Sequence, residues 1–300
     1  MKLPPVQRFS HAAMATLFEV HCVHSDARYA GQAAQAAFDL VDRLERDLSR
    51  FVANSDISRV NQLGAGQSTR VGPSTIACLE LSRHMHELTG GAFDISIGSG
   101  LDGLDLVSDE LRVHARTDGV RLDLGGIGKG YAVDRVAELL EEWDVRRALI
   151  HGGFSSVLAL EPPQDLDGWP LTLSAPGPGN QAVLARISAR QKALSASGTQ
   201  KGDHIRDPRT GEPARSRAVW VTVDGRREED ERSPAALAEA LSTAFMLLPE
   251  QEIASLCRRC PGIEVWLVDE PAPDQGAGPV VVHLVAPLPA GGGAEKARSS

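Results

Sequence analysis

The segment of the chain richest in chemical potential is Arg121-Leu-Asp-Leu-Gly-Gly-Ile-Gly-Lys-Gly-Tyr-Ala-Val-Asp134. A short apolar run leads into a glycine cluster, and an amphipathic helical pattern follows at once. Glycines allow positive φ and let a ligand approach the backbone. The start of the following helix predicts free N–H groups for an anion such as phosphate, and Lys129 adds a point charge. The spacing Gly126, Gly128, Gly130 matches neither a dinucleotide fingerprint nor a Walker loop. A tight strand-to-helix turn without a ligand is therefore the competing reading.

Other candidates are weaker taken singly. Ser195-Ala-Ser-Gly-Thr-Gln-Lys-Gly-Asp-His204 sets small hydroxyl residues beside a histidine able to exchange a proton near neutral pH. Asp207-Pro-Arg-Thr-Gly211, just beyond, has the composition of a turn. Glu239 and Thr243 lie four apart in a helical pattern, hence on one face. A carboxylate and a hydroxyl together suit a hard, oxygen-preferring cation such as Mg²⁺. In Gly90-Gly-Ala-Phe-Asp94 the glycines read as a helix C-cap, and Asp94 is placed to accept hydrogen bonds from a base or ring edge. Cys257-Arg-Arg-Cys260 has redox or metal spacing, but no second pair accompanies it and it falls at a helix end. His84 and His86 are expected on the surface, on different faces of a helix, and Glu228 to Glu231 in a solvated loop.

These residues need elements to position them. Ala15 to Val23 has strand character. Ala34, Ala37, Val41, Leu44, Leu48 and Phe51 then recur at spacings of three and four, the pattern of an amphipathic helix. A second helix is expected from Pro73-Ser74, capped by Ser74, to Gly90-Gly91; a third from about Gly130 to Trp143; a fourth from Pro234 to Leu248. Arg147–His151, Ser156–Leu160, Ala218–Val223 and Pro279–Val285 read as strands separated by Gly and Pro turns. Without regular βαβ alternation the fold class is α+β, and with no evident linker or repeat one domain is expected over residues 1–286. Residues 287–300 have nothing to bury and are expected to be disordered.

Composition narrows the function classes. The 31 basic and 40 acidic residues of this 300-residue chain leave a net charge of −9, which argues against nucleic acid or anionic membrane as main partner. No apolar run approaches the ~18–20 residues of a membrane helix, and Met1 to Ser10 lack a signal-peptide core. Four cysteines are too few for a disulfide scaffold. A soluble, cytoplasmic location is expected.

Taken in order, several segments resemble the FAD:protein FMN transferase (ApbE-like) family. They are Met14-Ala-Thr16, Leu48-Ser-Arg-Phe51 with Ser55-Asp-Ile-Ser-Arg-Val-Asn61, Thr89-Gly-Gly-Ala-Phe-Asp94, and Leu122 to Asp134. Ser197-Gly198, His204 to Gly211 and Ala238-Glu-Ala-Leu-Ser-Thr-Ala244 complete the series, which spans Met14 to Val285. The resemblance implies a single domain with mixed and antiparallel sheets, flanking helices and a flavin cleft. It implies that FMN is moved from FAD to a Ser or Thr hydroxyl of an acceptor protein, with release of AMP and with Mg²⁺ held against the pyrophosphate. By similarity Met14, Phe51, Ala92, Phe93, Asp94, Asp123, Lys129, Ile205 and Arg206 would contact FAD. The backbone carbonyl of Gly126 and the side chains of Glu239 and Thr243 would hold the metal, and His204 would accept the hydroxyl proton. A non-catalytic FAD-binding protein of the same fold, and a pyrophosphatase giving FMN and AMP, are the alternatives.

The chain departs from the family pattern at identifiable places. Ala15 stands where the family usually has Gly, Glu239 where it has Asp, and Phe154 where it has the Asp of a Gly-Gly-Asp turn. The stretch from Asp94 to Asp123 is short, and no lipoprotein signal of the kind many members carry is visible.

Overall fold

The structure, a computed structural model, describes residues 5–174, 183–198, 205–214, 217–225, 233–269 and 280–285. The chain starts with β1 (Gln7–Ala13) and β2 (Thr16–Cys22), a hairpin whose two-residue turn places both Met14 and Ala15 at positive φ, 49° and 56°. Positive φ at both central residues matches the right-handed twist of paired strands. β1 escaped sequence reading because it is an edge strand with mostly half-exposed residues and no apolar alternation. Next come α1 (Ala27–Leu48), α2 (Asp56–Val60), β3 (Ser68–Arg70), α3 (Pro73–Leu88), β4 (Leu104–Val107) and β5 (Arg112–Ala115). The second half runs α4 (Gly128–Glu142), β6 (Ala148–Gly152), β7 (Ser156–Ala159), β8 (Trp169–Ser174), β9 (Val183–Ala189), β10 (Lys192–Gly198) and β11 (Arg217–Asp224). It closes with α5 (Pro234–Phe245), α6 (Glu250–Arg259), β12 (Ile263–Asp269) and β13 (Val280–Val285).

The expected α+β class holds. Eight strands form one antiparallel sheet in the order β1-β2-β6-β7-β10-β11-β12-β13. Its central strands are covered on both faces. Val219, Val221 and Val223 of β11 join the main core, while Ala218 and Trp220, at the alternate positions, pack into a second core with Trp169, Leu171 and Leu173 of β8. Period-two alternation sends neighbouring residues to opposite faces, so the β8–β9 hairpin roofs one face and the helices the other.

Several expected boundaries shift. The periodic positions of α1 from Ala34 to Leu48 are buried as predicted, but the helix stops at Leu48 and Phe51 lies beyond it, 80% exposed. α3 is capped by Gly72, not Ser74, because Pro73 with its fixed φ takes the first helical position; Ser74 instead hydrogen-bonds the buried Tyr131. The segments 228–231 and 287–300 lie outside the described residues.

α5 is apolar all round, and every residue of it except Thr243 is buried. Such a helix belongs inside a core, and this one packs between α4 and strands β10 and β11. Its first backbone N–H groups have no intrahelical acceptor. Asp134 of α4 supplies one: its two carboxyl oxygens accept from the N–H groups of Ala235 and Ala236 at 2.9 and 2.8 Å. Gly130, one turn earlier, lets the helices close, since a Cβ there would sit 2.3 Å from the carbonyl oxygen of Ala235. Burial pushes the Asp134 carboxyl up to about 8, against the downward pull of the two N–H groups.

Asp134→Asn turns one oxygen into a donor facing another donor, and is expected to lower unfolding stability by about 1–3 kcal/mol. The native carboxyl, raised above its ordinary 3.8, keeps its proton in the folded state while the unfolded chain releases it. Its contribution is therefore full below pH about 4 and declines as pH rises to about 8. Urea midpoints of both proteins near the ends of that window check this, and a stability gap that widens with pH contradicts it.

Candidate functional site

A cleft of about 1230 Å³ opens between the sheet, the first turn of α4 and the C-terminal half of α5. It is lined by Met14, Ala92, Phe93, Asp94, Asp123, Gly126, Lys129, Ile205, Arg206, Glu239 and Thr243. These are eleven of the thirteen candidate residues, drawn from segments up to more than two hundred residues apart in the sequence. His204 lies outside the described residues. Phe51 does not line the cleft; its ring lies under the Arg50 guanidinium, 4.2 Å from the ring centroid, and Arg50 is the residue that faces inward.

The turn before α4 behaves differently from expectation. The N–H groups of Gly125, Ile127 and Gly128 donate to Asp123 Oδ1 and the Leu124 carbonyl at 2.9, 3.1 and 2.8 Å, and Gly130 donates to Glu239 Oε2 at 2.6 Å. The free donors predicted at this helix start are thus largely taken by protein acceptors. Positive charge in the turn comes from the Lys129 side chain, which donates to the Gly125 carbonyl at 3.2 Å and pairs with Glu239 Oε1.

Glu239 is therefore held from two sides, by an ammonium and a backbone N–H, with its side chain 6% exposed. Thr243, one turn on, also lines the cleft and is the only residue of α5 that is not buried. Its Oγ1 lies 3.4 Å from where a Cβ on Gly126 would stand, so the glycine lets the turn approach the hydroxyl. Carboxylate, hydroxyl and backbone carbonyl are hard oxygen donors. Among the described residues no three His, Cys, Asp or Glu side chains are grouped to hold a metal. The single carboxylate still suits Mg²⁺, which typically takes one or two carboxylates and completes its shell from substrate phosphates and water.

Asp94 lines the cleft, but its carboxylate accepts from Ser96 N, Ser96 Oγ and Gly98 N at 2.7, 2.7 and 2.9 Å, so its acceptor capacity is used largely to shape its own loop. His86, expected on the surface, is half-buried behind this loop and its Nδ1 lies 3.1 Å from the Phe93 carbonyl, while His84 is exposed as expected. The predicted turn at Asp207–Gly211 is present: Gly211 N–H donates to the Asp207 carbonyl at 2.7 Å, at φ +77°. Arg209 grips the Asp207 carboxylate with two nitrogens, at 2.9 and 2.7 Å, holding its pKa below the usual value. This turn sits on the Asp94 loop, where a Cβ on Gly98 would lie 2.6 Å from the Pro208 carbonyl. Asp123 is paired with Arg50 at 2.8 Å. Ser197 meets Ser242 of α5, Oγ to Oγ, at 2.9 Å.

Sequence reading missed Arg50, Ile97, Ser155, Thr172, Ser174 and Trp220 as cleft residues. Arg50 sits within Leu48-Ser-Arg-Phe51; Thr172 and Ser174 are the outer positions of β8, whose alternation with Trp169, Leu171 and Leu173 was an available strand signal, and Trp220 comes from a strand with no chemical signal. Cys257 and Cys260 are free and remote from the cleft lining. Burial raises the Cys257 thiol to about 11, the state of an inert structural cysteine.

An antiparallel sheet with helices on one face, and a cleft where a glycine turn meets a single carboxylate on a buried apolar helix, define a class with known members. A sequence profile of the ApbE family matches residues 14–267, and the chain belongs to that family. The FAD:protein FMN transferase of Treponema pallidum (strain Nichols) is 26% identical over 286 residues, covering 79% of this chain and 76% of that protein. The FAD:protein FMN transferase of Salmonella typhimurium (strain LT2) is 24% identical over 310 residues, covering 88% and 85%. Among solved structures, the flavinyl transferase ApbE of Pseudomonas stutzeri, apo form, superposes with a TM-score of 0.78 at 22% identity, covering 95% and 96% of the two chains. Among the described residues no helix is long and apolar enough to cross a membrane.

Lys129→Met leaves Glu239 with one N–H partner in a closed environment. A loss of about 1–3 kcal/mol is expected, less than the ~3–5 of a wholly enclosed pair because Lys129 is partly solvated. Thr243→Ala, by contrast, is expected to change stability by less than about 1 kcal/mol. Urea denaturation of the two variants side by side tests the ranking, and equal losses would refute it.

Proposed function

We propose that this protein is a Mg²⁺-dependent flavin transferase that moves FMN from FAD to a Ser or Thr hydroxyl of an acceptor protein, releasing AMP. The observation that carries this reading is the meeting of the Lys129 turn with Glu239 and Thr243 in one cleft, in a member of the ApbE family. The cleft exceeds the ~300–1,000 Å³ of common small-molecule sites, which suits a dinucleotide with an acceptor segment beside it.

The acceptor oxygen forms a bond to the phosphorus of the FMN half. The bond from that phosphorus to the oxygen bridging to AMP breaks, and AMP leaves with its electron pair. The hydroxyl proton needs an acceptor, and His204 is assigned that part on sequence grounds. Lys129, Arg50 and Arg206 line the cleft as cationic groups, able to offset the phosphate charges in an otherwise acidic chain. Glu239, Thr243 and the Gly126 carbonyl would hold Mg²⁺, which when bound supplies charge neutralisation on the pyrophosphate. Glu239 reaches one methylene further than the family's usual Asp, and its two present partners fix where the carboxylate stands. In this reading Lys129, which pairs with Glu239 here, would also pair with a phosphate oxygen of FAD.

Glu239→Ala and Thr243→Ala are expected to reduce Mg²⁺-dependent AMP release from FAD to background. Chromatographic assay of AMP measures this, and full activity in both variants would overturn the metal assignment. Flavin fluorescence on a denaturing gel of the acceptor separates transfer from hydrolysis: a pyrophosphatase leaves all FMN free in solution.

A further inference from the structure

Phe154 is fully exposed, at 101% of its reference area, and it lines the cleft. Of seven large hydrophobic residues exposed among those described, only Ile97 and Phe154 face this space. Scattered apolar side chains on a surface need no explanation; a bare aromatic ring inside a substrate cleft invites one.

The tip that presents Phe154 is built firmly. It joins β6 to β7, and Gly153 on one side donates its N–H to the Leu17 carbonyl at 3.0 Å. Gly153 has φ +71°, and a Cβ there would lie 2.3 Å from Thr16 Oγ1, so only glycine fits against the β1–β2 hairpin. On the other side the Ser155 carbonyl accepts from Ala196 N–H at 2.8 Å. Gly152 packs on the start of α4, where its Cβ position lies 2.8 Å from Val133 Cγ2 and 3.5 Å from the Lys129 carbonyl. The backbone tip that carries the ring is thus anchored beside the first turn of α4, whose Lys129 is assigned to the phosphates. A dinucleotide whose pyrophosphate lies at that turn extends a flat heterocycle to each side of it.

We propose that Phe154 is a stacking platform for one of the two flat heterocycles of FAD, isoalloxazine or adenine. The inference rests on the flavin-transferase reading and deepens it. Phe154 offers a ring face, and a stacked base is attracted to any π-surface without donor or acceptor matching.

Calorimetric titration of wild type, Phe154→Ala and Phe154→Trp with FAD, FMN and ADP tests this. Phe154→Ala is expected to weaken FAD binding about 5- to 150-fold, the range for loss of a base–aromatic stack, while Phe154→Trp stays within about threefold of wild type. A loss shared with FMN assigns the isoalloxazine, and one shared with ADP assigns the adenine. The thermal midpoint of both variants should match wild type, because the side chain packs on nothing. Unchanged FAD affinity in Phe154→Ala overturns the stacking role and leaves the ring to the acceptor protein. If wild type itself binds no FAD, the flavin reading fails and this inference falls with it; the wild-type titration alone shows which has failed.

Discussion

One helix contact holds the rest in place: the approach of α4 to α5. An apolar helix buried on every side cannot leave its first N–H groups without acceptors. Water cannot reach them, so another part of the chain must. Asp134 does so from α4, while Glu239 of α5 accepts the Gly130 N–H in return. Asp134 and Glu239 thus cross-link the helices reciprocally. Gly130 permits this, because any side chain there would drive into the α5 backbone.

The same contact builds the cleft floor. Because Gly130 fixes one oxygen of Glu239, the other is presented to Lys129 at the open edge, with Thr243 one turn further along. One oxygen of the side chain ties the two helices and the other meets the lysine. Around them the lining alternates in sign: Arg50 with Asp123, Lys129 with Glu239, and the Asp94 carboxylate folded into its own loop. Charges paired this way limit the desolvation penalty of placing them in the cleft. An acidic protein can hold a pyrophosphate only by such local arrangement, since its overall field opposes one.

The opposite wall depends on tight turns. Gly153 against Thr16 and Gly98 beneath Pro208 bring loops closer than a side chain would allow, and Met14 and Ala15 turn the β1–β2 hairpin at positive φ. Ala15 in place of the more usual glycine is accommodated in the left-handed region at some backbone cost. These turns carry Met14, Phe154 and the Asp94 loop to the cleft without a regular element beneath them.

The sequence by itself determined the α+β class, the strands that are continuous apolar runs, and the helices with strong periodicity, because those signals are local. It also determined most of the candidate site, since Asp94, Asp123, Lys129, Glu239 and Thr243 lie in segments with recognisable order. The spacing puts Phe51 on α1, but a spacing of three cannot say that the helix ends at Leu48. The edge strand β1 carries too little apolar alternation to read, whereas β8 alternates cleanly, with Trp169, Leu171 and Leu173 inward, and was a readable signal. Only the tertiary structure decided that the N–H groups before α4 are occupied, that Glu239 faces Lys129, and that Phe154 stands bare in the cleft. Hydrogen-bond partners and exposure are properties of what packs against a residue, and packing brings together positions more than a hundred residues apart.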